Sequence, residues 1–264
     1  MPGPRDVAAD TTRKLWNANA RAWTDLSRAG FDVYRDLVNT PAFLDMLPAV
    51  DGRIGLDLGC GEGHNTRLVA ARGAGVVALD ISDVFLAAAA SPANPAMRLV
   101  LADGARLPFR GASFDFATAF MSLMDVGEPE RTLDEVGRVL RVGGFFQFSV
   151  VHPMTSTAVR RWVDDDDGRR EALAIGDYYR DGPITERWTF SAAPPEVRGR
   201  YEPFTVTYAR RTLAGWLNAV IDAGLLIDAV AEPRADEQTA RDHPEVADTR
   251  IVPYFLVIRA RKAG

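Results

Sequence analysis

A short apolar strand that runs directly into three alternating glycines constrains this chain more than any other feature. The strand is Ile54 to Leu58, the glycines follow in Gly59-Cys60-Gly61-Glu62-Gly63, and a helical pattern (Thr66, Arg67, Leu68, Val69, Ala70) begins at once. Strand, glycine turn and helix are the layout of a nucleotide-binding crevice, because glycine turns tightly and admits a ligand where a Cβ would clash. Two details set this loop apart from a dinucleotide site. The dinucleotide fingerprint places its third glycine five positions after the first; here that position is His64, and Gly63 comes one residue early. Asp57 also puts a carboxylate at the strand's end, where it would repel a pyrophosphate and hold an ammonium.

Those details argue against NAD and for S-adenosylmethionine, which carries an ammonium, a sulfonium and no phosphate. Two further acidic residues follow apolar strands. Asp80, ending Gly75-Val76-Val77-Ala78-Leu79-Asp80, stands at the spacing from Gly59 at which a second-strand carboxylate takes the ribose hydroxyls of a nucleotide. Asp103 ends the run from Met97 and can accept from the exocyclic amine of adenine. Each has a plainer alternative: Asp80 as N-cap of a helix starting near Ser82, Asp103 as the cap of a turn before Gly104. Asp115 reads as structural, and Cys60 as a small packing residue.

Leu56 to Gly63, Asp80-Ile81-Ser82, Asp103-Gly104, Ser113 to Phe116 and Arg138 to Gly144 lie in order over about a hundred residues. In this the chain resembles a class I S-adenosylmethionine-dependent methyltransferase. Within that superfamily it is similar to the type 11 group that includes the ubiquinone and menaquinone C-methyltransferases. The resemblance implies a doubly wound, Rossmann-like α/β sheet, mostly parallel with an antiparallel last strand. It also implies S-adenosylmethionine as cofactor, with Asp57, Gly59, Gly61, Asp80, Ile81, Asp103, Gly104, Phe120 and Met121 binding it. The alternatives are an NAD-dependent oxidoreductase and a catalytically silent S-adenosylmethionine-binding protein.

At 264 residues and 47% hydrophobic content the chain can bury one sizeable core. A formal charge of -5 argues against a nucleic-acid partner. No apolar run reaches the length of a membrane span, the N-terminus lacks a signal-peptide pattern, and one cysteine excludes an internal disulfide framework. The expectation is a cytoplasmic protein, monomeric or homodimeric. Arginine supplies all positive charge except Lys14 and Lys262, and alanine is abundant, which suggests a high-GC bacterial source.

Four parts are expected: an N-terminal helical lid over 1–50, a cofactor-binding core over 51–151, a substrate cap over 152–210, and a C-terminal return to the core over 211–264. In the lid, Leu15, Trp16, Asn19, Ala22, Trp23 and Leu26 follow the helical period, and Pro41 opens a short helix to Leu47. In the core, strands over 75–80, 97–102, 114–120 and 143–151 alternate with helices over 82–91 and 128–140. In the return, Thr212 to Ala223 reads as helix, and Leu225 to Val230 and Ile251 to Arg259 as strands, with Pro253 near the start of the last. The cap contains Asp164 to Asp167, a solvated loop rather than a metal site, and one predicted strand pair, Ile184–Ser191 with Tyr201–Arg210.

His152 is the first candidate for a general base, because it ends the fifth strand next to the crevice and titrates near neutrality. Tyr178, Tyr179, Glu186 and Tyr208, in the cap, are the second rank. His64 reads as structural and His243 as exposed. Trp16, Trp23, Ser122 and Trp188 are the candidates for contact with the acceptor. The aromatic content of the cap points to a small aromatic or isoprenoid-like acceptor in bacterial secondary or quinone-type metabolism.

Overall fold

The computed structural model describes residues 4–264, with side chains from residue 9 onward. Seven strands form one sheet in the order β10-β11-β5-β4-β1-β2-β3. The strands are β1 Ile54–Leu58, β2 Gly75–Asp80, β3 Met97–Leu101, β4 Phe114–Phe120, β5 Leu140–Val151, β10 Leu225–Ala231 and β11 Phe255–Lys262. Strands β3, β2, β1, β4 and β5 pair in parallel, and β11 is antiparallel to both β5 and β10. Chain order reverses beside β1, so its carboxyl end opens into the crevice where ligands bind in such sheets. The central strands are buried on both faces and read as continuous apolar runs, as parallel strands between helices must. Gly55 in β1 is a packing requirement: a Cβ there would lie 2.1 Å from the Phe116 ring, which stacks on Phe145.

Helices α3 His64–Ala70, α4 Asp83–Ala89 and α5 Pro129–Val139 make the crossovers. Their ends follow local chemistry: Ser82 Oγ caps α4 by accepting from Phe85 N at 3.1 Å, and Pro129 opens α5. At the N-terminus α1 Pro4–Arg28 is followed by a π-helical turn, Arg35–Asn39, and by α2 Thr40–Met46. Helix α7 Leu213–Asp222 is capped by Thr212, whose Oγ1 accepts from Gly215 N.

The last strand begins later than the pattern predicts. Ile251 ends a 3-10 turn, Pro244–Arg250, preceded by α8 Glu237–Asp242, and the ladder starts only at Phe255. Pro253 has no N–H for a ladder. The carbonyls of Pro253 and Tyr254 are instead taken by Thr155 Oγ1 at 3.2 Å and His152 N at 2.8 Å.

The segment between β5 and α7 contains two hairpins where the sequence shows one. The first pairs β6 Val159–Asp164 with β7 Arg170–Gly176. The aspartate run makes its turn, with Asp165 Oδ1 accepting from Asp167 N and Arg169 N. The second pairs β8 Gly182–Trp188 with β9 Phe204–Arg210, and the short helix α6 Pro195–Arg198 lies between them. One face of β9, carrying Phe204, Val206 and Tyr208, is buried. No described helix is long and apolar enough to cross a membrane.

Candidate active site

All three loop glycines take left-handed backbone: Gly59 at φ 66°, Gly61 at 55° and Gly63 at 84°. Side-chain-bearing residues rarely adopt that conformation, which explains the alternating pattern. Gly59 N and Cys60 N donate to Leu79 O at 2.8 and 3.0 Å, and Gly61 N donates to Asp80 Oδ2 at 2.8 Å. A Cβ on Gly59 would meet Ser122 Cβ at 2.4 Å, whereas Gly61 faces open space. The loop therefore lies hard against the turn after β4 on one side and leaves room for a ligand on the other.

Asp57 is buried, and each carboxylate oxygen accepts one hydroxyl, from Thr118 Oγ1 at 2.8 Å and Thr66 Oγ1 at 2.5 Å. Asp80 is equally enclosed and accepts from Gly61 N and, through Oδ1, from Ser82 N at 2.8 Å. Its place is beside the loop, and the N-cap of α4 is Ser82. Burial pushes both carboxyls up to about 6 in spite of these hydrogen bonds. A carboxylate offers about four lone-pair sites, of which Asp57 gives two to its hydroxyls and Asp80 three to the N–H groups of Gly61, Ser82 and Ile81, so both keep room for a ligand. Asp103 Oδ1 accepts from Ala105 N at 2.9 Å, so it closes the turn ahead of Gly104 while also facing the crevice. Asp115 receives Ile54 N at 2.9 Å and pairs with Arg141 at the opposite end of the sheet.

A cavity of about 710 Å³ lies above the carboxyl ends of β1, β2 and β4. Asp57, Gly59, Gly61, Asp80, Ile81, Asp103, Gly104, Phe120 and Met121 all line it, as do Trp16, Trp23, Ser122 and Trp188. Trp23 joins α1 to the second hairpin, with ring centroids 5.4 Å from Trp188 and 5.1 Å from Phe190. Met121 is held at φ 50° by its N–H bond to Ser149 O at 3.0 Å, an unfavourable backbone kept at the end of β4.

The five candidates for catalysis divide. Glu186 and Tyr208 line the cavity; Tyr208 Oη donates to Glu186 Oε2 at 3.1 Å, and Arg160 reaches Glu186 Oε1 at 2.8 Å. Burial, then the Glu186 charge, raises the Tyr208 phenol above its ordinary range. His152 is outside the cavity. Its Nδ1 accepts from Met154 N at 3.2 Å, which leaves the proton on Nε2 to donate to Glu232 Oε1 at 2.9 Å. With both nitrogens engaged away from the cavity, His152 fastens the chain after β5 to the C-terminal segment. Tyr178 Oη accepts from Leu213 N at 3.0 Å, and Tyr179 is 87% exposed. Neither lines the cavity.

Among the lining residues that escape the sequence reading, three carry polar groups from turns outside the motifs. Arg35 and Asn39 come from the π-helical turn, and Asp125 from a 3-10 turn, Leu123–Asp125, after β4. Arg35 Nε pairs with Asp36 Oδ1 at 2.7 Å and Asp32 Oδ2 at 3.6 Å. Arg28 and Arg67 engage Glu62 Oε2 at 3.1 and 2.6 Å, tying α1 to the glycine loop. No motif marks these positions, because their meeting depends on how α1 lies across the loop.

Among the described residues, three buried side-chain oxygens on the cavity wall lack a hydrogen-bond donor: Asn39 Oδ1, Glu62 Oε1 and Asp125 Oδ1. With the spare lone pairs of Asp57 and Asp80, the crevice calls for a ligand rich in donors and positive charge. An ammonium, a sulfonium and a ribose diol meet that demand; a pyrophosphate does not.

Residues 56–148 match the methyltransferase domain family. An S-adenosylmethionine-dependent methyltransferase from Mesorhizobium loti is 32% identical, and the alignment covers 84% of this chain and 96% of that one at a TM-score of 0.71. An uncharacterized protein of Haemophilus influenzae is 28% identical over 86% of this chain and 88% of its own length. A demethylmenaquinone methyltransferase of Thermobifida fusca is 32% identical over 53% of this chain and 59% of its length. Sheet order, glycine loop and a donor-seeking crevice agree with these likenesses, and the chain belongs to the class I S-adenosylmethionine-dependent methyltransferases.

Proposed function

We propose that the protein methylates a small molecule with an aromatic or isoprenoid-like body, held between the crevice and the segment over 152–210. The observation that carries this reading is the continuity of one cavity from the glycine loop to the tryptophans of α1 and the second hairpin. Rings supply large apolar contact at little entropic cost and suit a flat or hydrocarbon-rich acceptor better than a polar protein tail. The likeness to a demethylmenaquinone methyltransferase supports such a body.

When bound, the cofactor supplies an activated methyl group on a sulfonium. Asp80 takes the ribose hydroxyls on the lone pairs left by Gly61 N and Ser82 N. Asp57 faces the ammonium, and Asp103 with Gly104 borders the adenine. Phe120, Met121 and Ser122 stand at the methionyl end, where Ser122 Oγ donates to Leu58 O at 2.6 Å and so fixes the turn. Trp16, Trp23 and Trp188 exclude water and orient the acceptor; orientation of this kind is worth roughly 7–11 kcal/mol of barrier. Within the roof, Glu186 and Tyr208 are the polar pair able to hold an acceptor substituent.

The test follows a labelled methyl group from S-adenosylmethionine into a metabolite panel, alongside calorimetry on Asp80→Ala. Label should enter extractable small molecules, not precipitated protein. Asp80→Ala should weaken S-adenosylmethionine and S-adenosylhomocysteine alike by roughly 10- to 150-fold, the worth of a charge-assisted hydrogen-bond pair, with circular dichroism unchanged. Unchanged affinity for both would remove Asp80 from the cofactor site, and absence of any labelled product would favour a silent binding protein.

A further inference from the structure

Asp125 is a buried acid on the cavity wall with no cationic neighbour. The residue is 8% exposed, its Oδ1 has no hydrogen-bond partner, and its backbone is fixed by the bond from Asp125 N to Ser122 O at 2.9 Å. The turn that carries it follows directly from β4, and β9 packs against that turn from the roof. Asp125 thus stands where the crevice floor meets the roof strand of Val206 and Tyr208. An unpaired buried carboxyl costs free energy unless a donor reaches it, so this position calls for a ligand group carrying hydrogen.

The charge of the cavity says which kind. Eight carboxylate residues line it against two arginines. Arg35 is already paired with Asp36 and Asp32, and Arg160 with Glu186. Glu62 is met by Arg28 and Arg67, so the lining acids for which the chain supplies no cation are Asp57, Asp80 and Asp125, and S-adenosylmethionine brings them one net positive charge. An anionic acceptor would enter against that field, whereas an amine would be drawn in by it, and the rings of Trp16, Trp23 and Trp188 line the same cavity.

We propose that Asp125 holds the reacting group of the acceptor and that this group is an amine nitrogen. The inference rests on the methyltransferase reading of the cavity and specifies its substrate class. Asp125 accepts a hydrogen bond from the amine N–H and directs the nitrogen lone pair at the methyl carbon. The new N–C bond forms as the C–S bond breaks, its electron pair leaving on sulfur as neutral S-adenosylhomocysteine. The nitrogen's surplus proton passes to the Asp125 carboxylate and then to water. Burial, reinforced by the charge of Asp80, lifts this carboxyl well above the usual range; it gives its own proton to water as the cationic cofactor enters, and the ionised group is then basic enough to receive the proton from nitrogen.

Sinefungin tests the assignment without knowledge of the acceptor, because a C–NH₃⁺ group replaces S–CH₃ and places an ammonium at the reacting centre. Calorimetry on the full chain should show wild type binding sinefungin about tenfold or more tighter than S-adenosylhomocysteine. Asp125→Asn, and Asp125→Ser as a second neutral variant, should abolish that preference and leave S-adenosylhomocysteine affinity unchanged. Equal loss for both ligands would make Asp125 an adenosyl contact, and a preference that survives both substitutions would remove it from the reacting centre. A wild type with no preference would show that no ammonium is stabilised there. Each of these three results overturns the proposal. Wild type that binds neither ligand would instead overturn the underlying reading of the cavity.

Discussion

Gly59 and Gly61, two positions apart and alike in the sequence pattern, serve different ends. Gly59→Ala drives a Cβ into Ser122 as well as forcing a left-handed alanine, so it should lose about 2–5 kcal/mol of stability in urea unfolding. Gly61→Ala meets no protein atom and should lose only about 1–2 kcal/mol, while its methyl group intrudes on the ligand's space and weakens S-adenosylhomocysteine in calorimetry. His152 makes the opposite point, that a residue of suitable chemistry at the end of a suitable strand can be turned away. His152→Gln should keep wild-type turnover across pH, where loss of a general base would cost roughly 10²–10⁴-fold. His152→Ala should chiefly lower stability, by about 1–3 kcal/mol, because it leaves the Met154 N–H without its acceptor. Sequence places His152 at the end of β5; the direction of its ring is set by Glu232, eighty residues on.

At the level of elements, the roof over the crevice is where sequence and structure diverge most. The alternation of Ile184, Glu186 and Trp188 foretells β8 and its partner, because a half-buried strand writes its period into the chain. The first hairpin leaves no such trace: β6 and β7 are largely exposed on both faces and carry no apolar alternation. Trp188 is 37% exposed yet packs edge-on against Trp23, Phe190 and Phe204. Trp188→Ala should raise the acceptor KM by roughly tenfold through lost apolar contact, with cofactor affinity unchanged. Steady-state kinetics with the acceptor found by the turnover screen, set beside calorimetry, checks this. Equal losses in both would make the second hairpin part of the cofactor site.

For the whole molecule, acids buried in the wall of the crevice link binding to pH. Burial raises the carboxyls of Asp57 and Asp80 from the ordinary value near 3.8 to about 6. Between those values the folded chain retains protons that the unfolded chain has released, so these two groups lower stability as pH rises through that window. A bound ammonium and ribose diol favour the charged carboxylates, so S-adenosylmethionine should bind more tightly as pH rises through about 6 and should release protons on binding. Calorimetry at pH 6 in two buffers of different ionisation enthalpy measures the release. Asp80→Asn should reduce it, and net proton uptake by wild type would contradict the account.

What the sequence by itself determines is the sheet and its loop. Strand periods, helix caps and left-handed glycines are local properties, and Asp57, Asp80 and Asp103 are legible because each follows its own strand. Tertiary structure alone decides which groups share the cavity. Arg35 and Asn39 enter it because α1 and the π-helical turn cross the glycine loop, and Asp125 because β9 closes over the turn after β4. Gly55 is required only because the Phe116 ring lies against it. Such proximity is invisible in one dimension, since it depends on packing between segments whose local patterns do not mention each other.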